Sequence, residues 1–104
     1  MAQEQANQLS DADIRNKLQA QLDGLAYLWG TGPVPIDYAR WVDRTLYLLK
    51  SAFGDESPVL AEFLEAIGEG GSSVAQRLPL YGPWGLWERM KSAEIVLRRV
   101  LSGL

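Results

Sequence analysis

The chain has no cysteine and no histidine. Without cysteine there is no disulfide framework and no thiolate to act as nucleophile or ligand. Without histidine the commonest general base and the commonest metal ligand are missing. The lack of cysteine fits the cytosol and gives no sign of secretion. No apolar run approaches the ~20 residues that span a bilayer. The opening "MAQEQANQLSDADIR" has neither a basic stretch nor an apolar one, so no secretory signal is expected. A basic excess is missing too. Ten basic residues face 13 acidic ones, for a net charge of −3. That balance argues against a dedicated nucleic-acid binder.

What the chain does have is apolar content: 47% hydrophobic and 10% aromatic residues over 104 positions. That excludes disorder for most of its length and fits one domain. Residues 1–9 read as a polar leader, and 10–104 as the domain. Ser10 stands three residues before Asp13, a capping-box spacing. Ile14, Leu18, Leu22, Leu25, Leu28 and Trp29 then hold one helical face, which predicts a helix over Asp11–Trp29. Gly24 inside it suggests close approach of a neighbouring helix. "GTGPVP", Gly30–Pro35, cannot continue it.

A second helix is predicted over Asp37–Phe53, centred on Tyr38, Val42, Thr45, Leu49 and Ala52. With Trp41, Leu48, Leu46 and Phe53 its stripe is about 160° wide, more than a surface helix needs. It should therefore be the central helix. Gly54 is a natural stop, Ser57 a natural N-cap and Pro58 a natural first residue for a third helix, Pro58–Ile67. Residues 68–83 form one long irregular connection, with a helical turn expected near Ser73–Leu78. A fourth helix, Trp84–Ser102, carries Leu86, Met90, Ala93, Leu97, Val100 and Leu101 inward. These segments predict an all-α fold: a four-helix antiparallel bundle with one long irregular loop. Leu18, Leu22, Leu25, Val42, Leu49, Phe63, Leu86, Met90 and Leu97 should form its core.

Few residues point to chemistry. Asp11, Asp13, Asp55 and Glu56 sit where acids favour helix N-termini, and Glu62, Glu65 and Glu69 read as a solvated face. The Glu-x-x-His motif of di-metal bundles has no histidine to supply it. "GEGGSS" lacks the ending and the preceding strand of a phosphate loop. No catalytic residue, metal or cofactor is expected. Arg40, Arg44, Lys50, Arg89, Lys91, Arg98 and Arg99 have acids near them in sequence and read as ion-paired surface. No nucleic-acid or membrane partner is expected.

The candidates that remain are contact residues. In "LPLYGPWGLWERM", Leu78–Met90, two tryptophans stand three apart among prolines and glycines. Trp87 lies at the edge of the inward stripe and should plug the bundle. Trp84 points away from it and is the better candidate for a binding anchor. Tyr27, Tyr47 and Ile95 each lie opposite the inward stripe of their helix, and together they suggest a shared patch buried on association. Gln21 interrupts the first stripe and should either reach a polar partner at the rim or serve a pocket.

The segment "RWVDRTLYLLKSAFGDESPVLAEF", Arg40–Phe63, has a Trp-containing helix ending in Phe-Gly, then acid-Ser-Pro opening the next. Together with the later "GLWERMKSAEIVLRRVL" it resembles small helical N-terminal domains of uncharacterised bacterial proteins. The resemblance covers less than half the chain and rests mostly on helix caps. It implies a non-enzymatic module, with defence-type systems as one setting, and carries over no catalytic residue. Such domains often precede a variable C-terminal region, so this chain is expected to be a domain piece or a minimal stand-alone member. Two functions follow as expectations. The first is a cytoplasmic interaction module that binds itself, as a homodimer, or a protein partner. The second is a binder of a small apolar ligand, between the fourth helix, Trp84, Trp87 and the 68–83 loop.

Overall fold

Ser10 opens the first helix as its spacing predicts: its hydroxyl accepts from the Asp13 amide at 3.1 Å. A computed structural model of the chain describes residues 9–32 and 34–104. Most of the expected leader therefore lies outside the described residues, but Leu9 packs against the core. Helix α1 spans Asp11–Thr31, two residues past the expected end. Gly30 sits in open space with nothing to force it out of the helix. The Thr31 hydroxyl, one turn on from Tyr27, donates to the Tyr27 carbonyl at 3.0 Å. The true stop is Gly32, at φ 84°, a backbone region in which a side chain is strained.

Helix α2 spans Pro35–Phe53. It starts two residues earlier than expected because Pro35 takes the first helical position, where its missing N–H costs nothing. Helix α3 spans Pro58–Ile67, as predicted, with the Ser57 hydroxyl accepting from the Leu60 amide at 3.1 Å. The long connection contains a seven-residue 3-10 helix, Gly71–Arg77, that packs on α2. Helix α4 spans Leu86–Ser102, two residues later than expected. No strand occurs among the described residues.

The four helices pack in a ring. Helix α1 contacts α2 and α4, and α3 contacts the same two. Helix α2 also carries the 3-10 helix, so its wide stripe is covered by three neighbours. All nine expected core residues are buried. The α1–α2 contact explains two oddities of the sequence. The Trp41 indole lies over Gly24, where an added Cβ would meet it at 3.5 Å. Its Nε1–H donates to the Gln21 carbonyl at 2.7 Å. Gln21 in turn donates through Nε2 to the Thr45 hydroxyl at 2.6 Å, and that hydroxyl donates to the Trp41 carbonyl. Gln21 is thus a rim residue that satisfies a buried hydroxyl, and no buried side-chain polar atom of this small circuit is left without a partner.

Candidate partner-binding site

Helix α4 has no side-chain N-cap. Its first amides must be satisfied some other way. The chain before it folds back to do so: the Leu86 amide donates to the Pro79 carbonyl at 2.9 Å and the Trp87 amide to the Leu80 carbonyl at 3.2 Å. This backbone cap needs a residue without a side chain at 85. A Cβ there would lie 2.8 Å from the Tyr81 oxygen and 2.9 Å from the Pro79 oxygen. The fold-back also decides the conformation of Trp84, which adopts φ 62° and is the one non-glycine residue at positive φ among the described residues. That is why the helix begins at Leu86 and not at Trp84.

Trp84 is 55% exposed, yet its ring is held. One face lies on Gly68, where a Cβ would sit 2.8 Å from Cε3 and Cζ3. The Arg89 guanidinium lies 5.4 Å from the ring centroid, within cation–π range. Arg89 itself is buried, which corrects the expectation that it belongs to an ion-paired surface. Its partners are carbonyls. Nε donates to Trp84 O at 2.7 Å, and Nη1 donates to Ile67 O and, at 3.4 Å, to Glu69 O. Ile67 ends α3, so the positive charge sits at the negative end of that helix. Arg89 therefore ties the end of α3 to the fold-back before α4. The signal was in the sequence: position 89 is three after Leu86 and four before Ala93, on the inward stripe.

Trp87 has a different environment. Its ring stacks on Trp29 at 4.4 Å and 24°, and on Tyr81 at 6.4 Å and 17°. It is half-buried, and its Nε1 is buried without a hydrogen-bond partner. Stacking of this kind closes the end of the bundle between α1 and α4.

The other candidates fall on two surfaces, not one. Tyr27 and Tyr47 lie along the seam between α1 and α2. Tyr47 lines a groove with Lys17, Gln21 and Lys50, and Tyr27 lines its continuation with Asp37, Arg40 and Arg44. Ile95 lines a groove between α3 and α4 with Glu62, Glu65, Trp84 and Arg99. In the ring of helices these seams are on opposite sides, so the shared patch expected of Tyr27, Tyr47 and Ile95 does not form within one copy. Trp84 and Ile95 do come together. Helical spacing told which residues face outward, but not which helices are neighbours. None of these grooves is lined by Trp87 or the 68–83 loop.

Among the described residues the ion pairs are Arg98–Glu94 at 2.8 Å, the expected i,i+4 pair, and Arg99–Glu62 at 3.0 Å between helices. Asp43 accepts from the Ser72 hydroxyl at 2.6 Å, linking α2 to the 3-10 helix. No group of three or more acids that could hold a metal ion occurs among the described residues. Nor is any described helix long and apolar enough to cross a membrane.

Tyr38 stands apart. It is fully buried, and its hydroxyl has no hydrogen-bond partner. Burial pushes its pKa up to about 12, against an opposing pull from Arg89. A raised folded pKa means stability that is complete below the unfolded value, about 10, and is lost as pH rises toward 12. Tyr38→Phe should remove most of that alkaline loss. It should also leave neutral-pH stability unchanged or raise it by about 1 kcal/mol, since an unpaired buried hydroxyl disappears. Urea melts at neutral and alkaline pH check this. An equal alkaline loss in the variant would assign the effect to another group.

In comparisons with known proteins, no family model matches the chain, and no curated protein or solved structure gives a significant match.

Proposed function

We propose that this chain is a non-enzymatic helical interaction module, cytoplasmic and of bacterial type, that binds a second copy of itself or a protein partner. Trp84 carries the reading. A bulky residue at positive φ costs on the order of 1–3 kcal/mol. Here that cost comes with the fold-back that caps α4, and the residue that carries it keeps its ring 55% exposed. Gly68 and Arg89 fix the ring before anything binds, so little ordering entropy remains to be lost on association. Tryptophan is also among the residues most enriched at binding hot spots. Exposed Ile95 beside it extends the apolar surface. The absence of histidine and cysteine supports the non-enzymatic part. The ligand-binding alternative has less support, because Trp29 and Tyr81 already cover the ring of Trp87.

The test compares two alanine variants. Trp84→Ala should fold with a stability loss within about 1 kcal/mol, as expected of an exposed side chain. It should weaken association by about 2 kcal/mol or more. Trp87→Ala should lose about 3 kcal/mol of stability by removing a stacked ring. Denaturant melts read the first quantity and sedimentation velocity at micromolar concentration reads the second. Equal, large destabilisation by both substitutions would make Trp84 part of the core and remove the anchor.

A further inference from the structure

The charges that line the two seams differ in sign. The α1/α2 seam is lined by four basic residues, Lys17, Arg40, Arg44 and Lys50, against one acid, Asp37. That concentration occurs in a chain with more acids than bases. The α3/α4 groove is lined by Glu62 and Glu65. Its one base, Arg99, is already paired with Glu62 at 3.0 Å. Each surface also offers exposed apolar area, Tyr47 at 76% on the basic side and Ile95 at 54% on the acidic side.

The two surfaces complement each other in charge and in apolar content, and they lie on opposite sides of the ring of helices. A patch that matches a different patch on the far side of the same molecule gives a heterologous contact, not a twofold one. We propose that copies of this chain associate head to tail, the α3/α4 groove of one seating on the α1/α2 seam of the next. This inference rests on the self-association part of the proposed function and adds its geometry. A polyanion is the poorer occupant of the basic seam, since a molecule of net charge −3 repels it more strongly than it repels a second copy of itself. A second copy brings a smaller acidic surface with an apolar centre already shaped on a folded helix pair.

The experiment is sedimentation of the whole chain, alone and mixed. The wild-type mass should rise with concentration past that of a dimer, and should fall as salt screens the facing charges. Tyr47→Ala weakens the basic seam alone, and Ile95→Ala the acidic groove alone. Both residues are exposed, so both variants should keep the wild-type circular dichroism. Each should weaken association by on the order of tenfold or more, through the loss of the apolar side chain at the centre of the contact. An equimolar mixture of the two variants should recover association and stop at a one-to-one pair, because one intact seam and one intact groove remain. Lys50→Glu mixed with Glu65→Lys should also recover association, and because the two reversed surfaces pair as well, that mixture should grow past a one-to-one pair. A single variant that still dimerises as the wild type does would mean a twofold contact. That result overturns the head-to-tail geometry and leaves self-association standing. A wild-type mass that stays monomeric at all concentrations overturns both, and leaves only the partner-binding part of the function. Binding of a single-stranded oligonucleotide by such a monomer would reassign the basic seam to nucleic acid.

Discussion

Arg89→Ala is expected to cost about 3–5 kcal/mol of folding stability, the range seen when a buried charge network is broken. The guanidinium donates to carbonyls of Ile67, Glu69 and Trp84, which belong to two segments, the end of α3 and the fold-back before α4. Hydrogen bonds to a charged group contribute about 1.5–3 kcal/mol each. Removing the donor strips the end of α3 and the fold-back before α4 at once. The variant also leaves space where a long side chain was 6% exposed. Arg89→Lys keeps the charge but loses the planar fork, and should recover only part of the loss. Urea denaturation measures both, and the emission of Trp84 should shift in the alanine variant as its ring loses its support. A cost below about 1 kcal/mol for Arg89→Ala would mean that the three carbonyls find other partners and that the tie is dispensable.

Leu49→Ala should cost about 2–5 kcal/mol, the sum of lost burial and the cavity left behind. Leu49 is fully buried at the centre of α2, the helix with three neighbours. Collapse of the surroundings into the gap is therefore restricted. Against a total stability of about 5–15 kcal/mol for a domain of this size, the loss should lower the melting temperature by several degrees or more. Thermal and denaturant melts check it. An unchanged midpoint would show that the central stripe of α2 does not carry the core.

The two predictions differ in how far the sequence foretold them. Leu49 was legible because burial on a helix follows from spacing alone. So was α3, whose Ser57, Pro58 and Gly68 each impose a local constraint that needs no neighbour. The misjudged ends are those where a local signal was ambiguous. Gly30 tolerates a helix as well as a turn, and Pro35 opens a helix as readily as it breaks one. Arg89 was less legible, because its charge outweighed its position. An arginine on an inward stripe reads as an intrusion until the carbonyls that receive it are known. Those carbonyls come from loops and helix ends whose path no periodicity describes. The candidate site divides the same way. The outward direction of Tyr27, Tyr47 and Ile95 followed from helical angles, whereas Trp84 is exposed at a left-handed residue before the helix, where those angles do not apply. Their separation into two surfaces followed from the order of helices around the ring, which is a property of the whole fold.

The stacked pair of Trp29 and Trp87 has an optical consequence. Two indoles with centroids 4.4 Å apart share their excited states. The pair should give a split band of opposite signs in the aromatic and far-ultraviolet dichroism, which neither ring gives alone. Trp29 lies near the end of the first helix and Trp87 near the start of the last. The split band therefore reports one event, the docking of the chain's two outer helices. That is the contact with the longest intervening chain, and so the one with the largest closure entropy to overcome. The protein carries its own gauge of when the ring of helices shuts, without a label or a substitution.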